Sequence, residues 1–185
     1  MKRLFFHSLT LVSLLLVQIN SYADDSGLSV QQLSVLLQDQ REQVLFLDVR
    51  DPVEIMFVGF TDEVDANIPY LMVDRTSWDK DKNRFQLYQN PKFTNDVEAL
   101  LKKKQLEHDA IIVTMCRSGS ERGKPSADFL RHNGFPNAKY LIHGFQGQAL
   151  KAGPQKGLRI QNGWQNSTLP WQAKPSPEKI YRPQT

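Results

Sequence analysis

The stretch "IIVTMCRSGSERGKPSADFL", residues 111–130, decides how the rest of the chain is read. It opens with the β-branched and apolar run Ile111 to Met115, the pattern of a strand buried on both faces. It then crosses a short polar loop holding Arg117, Ser118, Gly119, Ser120, Glu121 and Arg122, and continues into a helical segment. Cys116, the only cysteine among 185 residues, stands where strand gives way to loop. In open α/β sheets ligands sit beyond the carboxyl ends of the strands, and Cys116 occupies that place.

The flanking sequence supplies the rest of such a sheet. "QVLFLDV" (43–49) is a second unbroken apolar run, and "AKYLI" (138–142) a third. "DANIPYL" (65–71) reads as a further short strand. Between them lie helical patterns. "LSVQQLSVLLQ" (28–38) opens on Ser29 with Gln32 completing a capping box. "DPVE" (51–54) offers Asp51 as N-cap, Pro52 at the first helical position and Glu54 reaching back. "TNDVEALLKKKQLE" (94–107) takes Thr94 or Asn95 as its cap, and its lysines suit a helix C-terminus. Residues 74–91 read as a polar, ordered excursion carrying Trp78, Phe85 and Tyr88. Strands alternating with helices predict an α/β domain, with a mostly parallel central sheet flanked by helices.

The ends of the chain are different in kind. Lys2 and Arg3, the apolar run Leu9–Ile19, and small residues at Ser21 and Ala23 have the layout of a secretory leader cut after Ala23. The apolar run is short for a membrane span, so no stable membrane insertion is expected after cleavage. With no cysteine at the cut, lipid attachment there is excluded. The expected organisation is a signal peptide over 1–23, an N-terminal helix region over 24–42, the α/β domain over 43–172, and a Pro-rich tail over 173–185. That tail holds Pro175, Pro177 and Pro183 and is expected to be extended or mobile. The expected location is periplasmic or secreted.

The full chain carries 23 Lys+Arg and 20 Asp+Glu. Without residues 1–23 the basic count falls to 21, a net charge of +1, with the signs interspersed. That balance gives no footprint for nucleic acid. An exported protein usually carries paired cysteines, yet a lone Cys116 makes no internal disulfide. It is either an inert buried residue or a thiol kept for its chemistry.

The loop favours chemistry. A loop curled around a sulfur turns its backbone N–H groups inward as an anion-binding nest, and the following helix N-terminus adds partial positive charge. Arg117 and Arg122 add full charges, Gly119 lets the loop turn tightly, and Ser118 and Ser120 offer hydroxyls. Such surroundings favour a thiolate beside an oxyanion cradle. An inert cysteine prefers an apolar setting.

Together with "LFLDVRDPVE", "ANIP", "HGFQG" and "NGW…LPW", the "CRSG" of the loop resembles the rhodanese superfamily, over about Gln43 to Trp171. The resemblance implies a single α/β rhodanese-like domain in which Cys116 is the catalytic nucleophile and carries sulfane sulfur as a persulfide. The sulfur would come from a small anionic donor such as thiosulfate and pass to a thiol or cyanide-like acceptor. Arg117, Ser118, Gly119, Ser120, Glu121 and Arg122 would form the substrate cradle, with no cofactor. With no His/Cys/Asp/Glu cluster at ligand spacing in the sequence, no metal is expected.

The loop departs from that pattern at one point. Single-domain rhodaneses usually read like C-R-S-G-x-R, whereas here Glu121 precedes Arg122 and the spacing is C-x5-R. That spacing resembles the rhodanese-fold dual-specificity phosphatases and related arsenate reductases, whose wider loops hold a tetrahedral oxyanion. In that chemistry Cys116 attacks phosphorus, Arg122 binds the equatorial oxygens and Glu121 is a candidate general acid. A third alternative is a non-catalytic binding module on the same fold. The "CRSG" start and the chain's closing motifs favour sulfur transfer.

Other polar residues carry less. Asp48 and Arg50 end a strand, and an Arg50–Glu54 or Arg50–Asp51 pair is expected. His143 precedes Gly144 at another strand end and reads as a structural hydrogen-bonder or an exposed side chain. His108 and His132 read as surface residues, and Trp164 and Trp171 as anchors that pin the long final segment onto the core.

Overall fold

The computed structural model describes residues 26–183; the leader expected over 1–23 lies outside them. A five-stranded sheet is built from β1 (Gly27–Leu28), β2 (Val44–Asp48), β3 (Ala66–Asn67), β6 (Ile111–Met115) and β7 (Ala138–Leu141). Its spatial order is β1-β7-β6-β2-β3, and every pairing in it is parallel. Four α-helices flank it: α1 (Val30–Gln40), α2 (Pro52–Val58), α3 (Phe93–Lys103) and α4 (Gly123–His132).

Alternation along β2 explains the layering. Val44 and Phe46 face a core shared with Leu33 and Leu37 of α1, Ile55 of α2 and Trp164. Leu45 and Leu47 face the opposite core, shared with Val97 and Leu101 of α3 and Ala127 and Leu130 of α4. Both faces are covered, which is why the strand reads as an unbroken apolar run. Among the described residues no helix is long and apolar enough to cross a membrane.

Local signals hold at two helix starts. Ser29 caps α1 and Gln32 returns the bond, completing the capping box. Asp51 caps α2 by accepting from the Val53 N–H at 2.9 Å, with Pro52 in the first turn. At α3 the expectation fails: Thr94 and Asn95 lie inside the helix, and Lys92 is the N-cap without a side-chain bond. Asn90 takes over instead, since its carbonyl accepts from Phe93 N–H and its side-chain oxygen from Lys92 N–H.

The excursion over 74–91 is a β-hairpin, β4 (Leu71–Asp79) and β5 (Arg84–Gln89), paired antiparallel as a separate two-stranded sheet. Val73 N–H donates to Asp51 Oδ2 at 3.1 Å, so one aspartate caps α2 and moors the hairpin beside it. The chain's last segment is also tied down. Gln172 bridges Phe60, Asn67 N–H donates to Lys179 O at 2.7 Å, and Lys179 Nζ donates to Val64 O at 2.9 Å. The tail is therefore extended and held. Trp164 is fully buried and pins this segment as expected, while Trp171 stays half-exposed against Phe145.

Candidate active site

Cys116 follows β6 at the carboxyl end of the sheet, 1% exposed and packed in the α3/α4 core. Thr114, two residues earlier on the same strand face, donates its hydroxyl to Gly123 O at 2.8 Å and fixes where α4 begins. A side-chain carbon on Gly123 would lie 3.4 Å from Cys116 Sγ, so a bare glycine there leaves the sulfur room.

The loop over the sulfur is held from behind by the "HGFQG" segment. Phe145 N–H donates to Cys116 O at 2.7 Å, and Gln146 and Gly147 N–H donate to Arg117 O at 2.9 and 3.1 Å. Gly144 has φ +57, and a Cβ there would sit 2.2 Å from Cys116 O; only glycine permits this approach. With the loop carbonyls taken up in this way, the amides from Arg117 to Gly123 donate to no other group among the described residues. Seven donors are thus unspent in the loop that follows the thiol and leads into the N-terminus of α4.

Above the loop opens a pocket of about 450 Å³. Arg117, Ser118, Glu121 and Arg122 line it, and so do Arg84, Arg159, Asp51 and Glu54. Of the remaining cradle candidates, Gly119 is buried against Leu141 and His143, Ser120 is exposed, and Cys116 lies beneath the lining. The Ser118 and Ser120 hydroxyls bond one another at 3.1 Å.

The charged groups are sorted by their partners. Arg122 donates through both terminal nitrogens to Glu54, at 2.6 and 3.2 Å, and its buried Nε has no partner. Glu54 therefore does not reach back along its helix but holds the loop arginine. Burial opposes the Arg122 charge; the Glu54 carboxylate, with Cys116 and Glu121 nearby, outweighs it and raises the pKa above the ordinary arginine value. Glu121 pairs with Arg84 of the hairpin at 2.6 Å. The Arg84 hydrogen bond, together with its charge and that of Arg122, holds the Glu121 carboxyl below the usual carboxylate range despite partial burial.

Of the four arginines that line the pocket, Arg117 and Arg159 form no ion pair with a carboxylate among the described residues. Arg117 donates Nε to the neutral Gln146 side chain at 2.7 Å, and Arg159 donates to Gly147 O. Burial, followed by the neighbouring Arg117 charge, lowers the Arg159 pKa.

Asp48 and Arg50 do not reach the pocket. They form a fully buried pair with each other, Nε to Oδ1 at 2.9 Å, rather than the expected pairs with Glu54 or Asp51. The Arg50 guanidinium also lies 4.4 Å over the Phe145 ring and donates to Gly59 O. His143 is half-buried with φ +67 outside the pocket lining, and His108 and His132 are exposed. Among the described residues no cluster of His, Cys, Asp and Glu has the arrangement of a metal site.

Sequence reasoning missed Glu54, Arg84 and Arg159 as site residues. Only Glu54 gave a local signal, as an acidic residue in the first turn of a strand-end helix; the other two arrive through the hairpin and the irregular segment after β7.

No protein-family model matches the chain, and no curated protein matches it in sequence. Solved structures do. Rv0390 from M. tuberculosis aligns with a TM-score of 0.57 at 22% identity, over 80% of this chain and 96% of its own. A rhodanese-related protein from Thermoplasma volcanium aligns with a TM-score of 0.43 at 20% identity, over 80% of this chain and 98% of its own. At 22% identity the likeness to Rv0390 is one of fold.

Proposed function

We propose that this chain, whose fold is rhodanese-like, is a sulfurtransferase that carries sulfane sulfur on Cys116. The observation that carries the reading is a lone thiol at the start of a loop whose seven backbone amides are unspent among the described residues, beneath an arginine-lined pocket. Arg117 and Arg159, which no carboxylate neutralises, receive the sulfonate end of a donor such as thiosulfate. The Cys116 thiolate attacks the outer sulfur. The donor's S–S bond breaks, its electron pair leaves with sulfite, and Cys116 keeps the sulfur as an anionic persulfide. Loop amides and the α4 N-terminus stabilise that charge. An acceptor thiolate or cyanide then attacks the terminal sulfur and returns the electron pair to Cys116. Neither step needs a proton when both nucleophiles are anionic.

The C-x5-R spacing keeps phosphoryl transfer as the competing chemistry, and three contacts weigh against it. Both terminal nitrogens of Arg122 are committed to Glu54. Glu121 is held as a carboxylate by Arg84, which unsuits it as a general acid. Both Asp51 oxygens accept backbone N–H groups from Val53 and Val73. A leaving alkoxide would find no free proton donor among these, whereas sulfite leaves without one. The test is thiocyanate formation from thiosulfate and cyanide, set beside hydrolysis of an aryl phosphate, in wild type and Cys116→Ser. Cysteine-dependent thiocyanate supports the reading; cysteine-dependent phosphate release without thiocyanate overturns it.

A further inference from the structure

The pocket is larger and greasier than a thiosulfate or cyanide ion requires. Its volume of about 450 Å³ includes an apolar wall from Leu71, Val73, Phe85 and Leu87 of the hairpin and Val53 of α2. Such an ion fills only a small part of it and touches none of that wall to advantage.

The wall continues outward as an exposed apolar rim. On α2, Val53 is followed one turn on by Met56 and Phe57, which are 62% and 83% exposed on the same helix face. On the hairpin, Phe85 packs edge-to-face with Trp78 at 5.2 Å, and both are exposed. Leu158 and Ile160 are exposed on either side of the pocket residue Arg159. Counting Tyr88 of β5, eight of the ten large exposed hydrophobics among the described residues thus belong to the three segments that supply this mouth. Exposed apolar residues gathered around one concavity mark an interaction surface.

Resting on the sulfurtransferase reading, we infer that this mouth docks a protein acceptor, a cysteine on a projecting chain-terminal segment with apolar and acidic neighbours. Cys116 is 1% exposed and lies beneath the pocket lining, so a narrow segment that enters the pocket suits it better than a thiol on a flat surface. Arg117 and Arg159 supply the charge complement for carboxylates on either side of the incoming cysteine. A bilayer matches the rim but cannot enter a concavity of this shape, so a peptide segment fits better. Sulfur passes when the partner's thiolate attacks the terminal sulfur of the Cys116 persulfide. The partner then bears the persulfide, and Cys116 is left as thiolate.

The probe is a fluorescein-labelled nonapeptide that carries a cysteine near a free carboxyl terminus, flanked by Phe, Asp and Glu. A control peptide replaces the acids with Lys and amidates the terminus. Binding is read by anisotropy on Cys116→Ser protein, and transfer by mass spectrometry from sulfur-loaded wild type. The acidic peptide is expected to bind about tenfold more tightly than the control, and Phe57→Asp to weaken it by about fivefold to tenfold. Phe57 lies outside the pocket lining, so thiosulfate–cyanide turnover in that variant is expected to stay unchanged. Equal binding of the two peptides, no effect of Phe57→Asp, or equally fast transfer to 2-mercaptoethanol would overturn the docking surface. So would phosphatidylglycerol vesicles that sediment wild type but not Phe57→Asp, since the rim would then be a membrane contact. Selective peptide binding by a protein whose Cys116 takes up no sulfur supports the docking surface and removes only the transfer chemistry.

Discussion

Glu54 on α2 and Arg122 on the cysteine loop, 68 positions apart in sequence, are joined by two hydrogen bonds of 2.6 and 3.2 Å. The pair fastens the end of the loop to the helix that follows β2, and thereby sets the height of the cradle over Cys116. The Arg122 and Glu54 side chains are 10% and 22% exposed respectively, so solvent screens the pair little.

Glu54→Gln removes the charge and one of the two strong acceptors while keeping the shape. The expected loss of stability is about 2–3 kcal/mol, below the roughly 3–5 kcal/mol for breaking a fully buried pair, because Glu54 is partly solvated. Urea unfolding measures it. An unchanged midpoint would mean that the loop is held by its backbone bonds alone.

Arg84 and Glu121 should show themselves through pH. The folded Glu121 pKa is depressed, so the pair stabilises the protein above the ordinary carboxylate range and loses that contribution as pH falls through the folded value. Arg84→Gln is therefore expected to be less stable than wild type near about pH 7, with the gap closing as pH falls through the depressed folded value of Glu121. An NMR titration of the Glu121 carboxyl should move upward in the same variant. A gap that is independent of pH would assign Arg84 to packing rather than charge.

Glu121→Gln leaves Arg84 unneutralised at the rim of the pocket. The expected result is a KM for thiosulfate lower by about twofold to fivefold with little change in kcat, and a steeper salt dependence. A large fall in kcat would instead give Glu121 a direct part in the chemistry.

Gly144→Ala tests the backbone clasp behind the loop. Its Cβ would meet Cys116 O at 2.2 Å from a positive-φ backbone, and neither atom can yield cheaply. A cost of about 2–3 kcal/mol, or a Tm lower by roughly 4–12 °C, is expected together with lost activity. Gly134→Ala is the comparison, since its φ is also positive but its Cβ would meet nothing within 4 Å.

The parts that were legible in the sequence are those whose cause is local. β2 and β6 are buried on both faces, so their residues are apolar except Asp48 and Thr114, and the Ser29–Gln32 box is a contact between neighbours. Cys116 and its cradle are contiguous, so they could be read together. The hairpin was not legible as strands. Its inward residues Leu71 and Val73 alternate properly, but the register breaks between Asp74 and Trp78 and the outer face is polar. Arg84 and Arg159 were invisible as site residues because only the fold brings them to the loop. Arg50 was misassigned for a related reason. A helix-surface pair with Glu54 is the cheap reading of "DVRDPVE", whereas the buried Asp48 carboxylate at the strand end needs the same guanidinium.

The central claim is that Cys116 accepts and holds sulfane sulfur, and intact-protein mass spectrometry after brief exposure to thiosulfate tests it most directly. Wild type is expected to gain the mass of one sulfur atom, to lose it on adding cyanide, and Cys116→Ser to gain nothing. Wild type that stays unmodified under thiosulfate, or a Cys116→Ser protein that gains the same mass, would contradict the account.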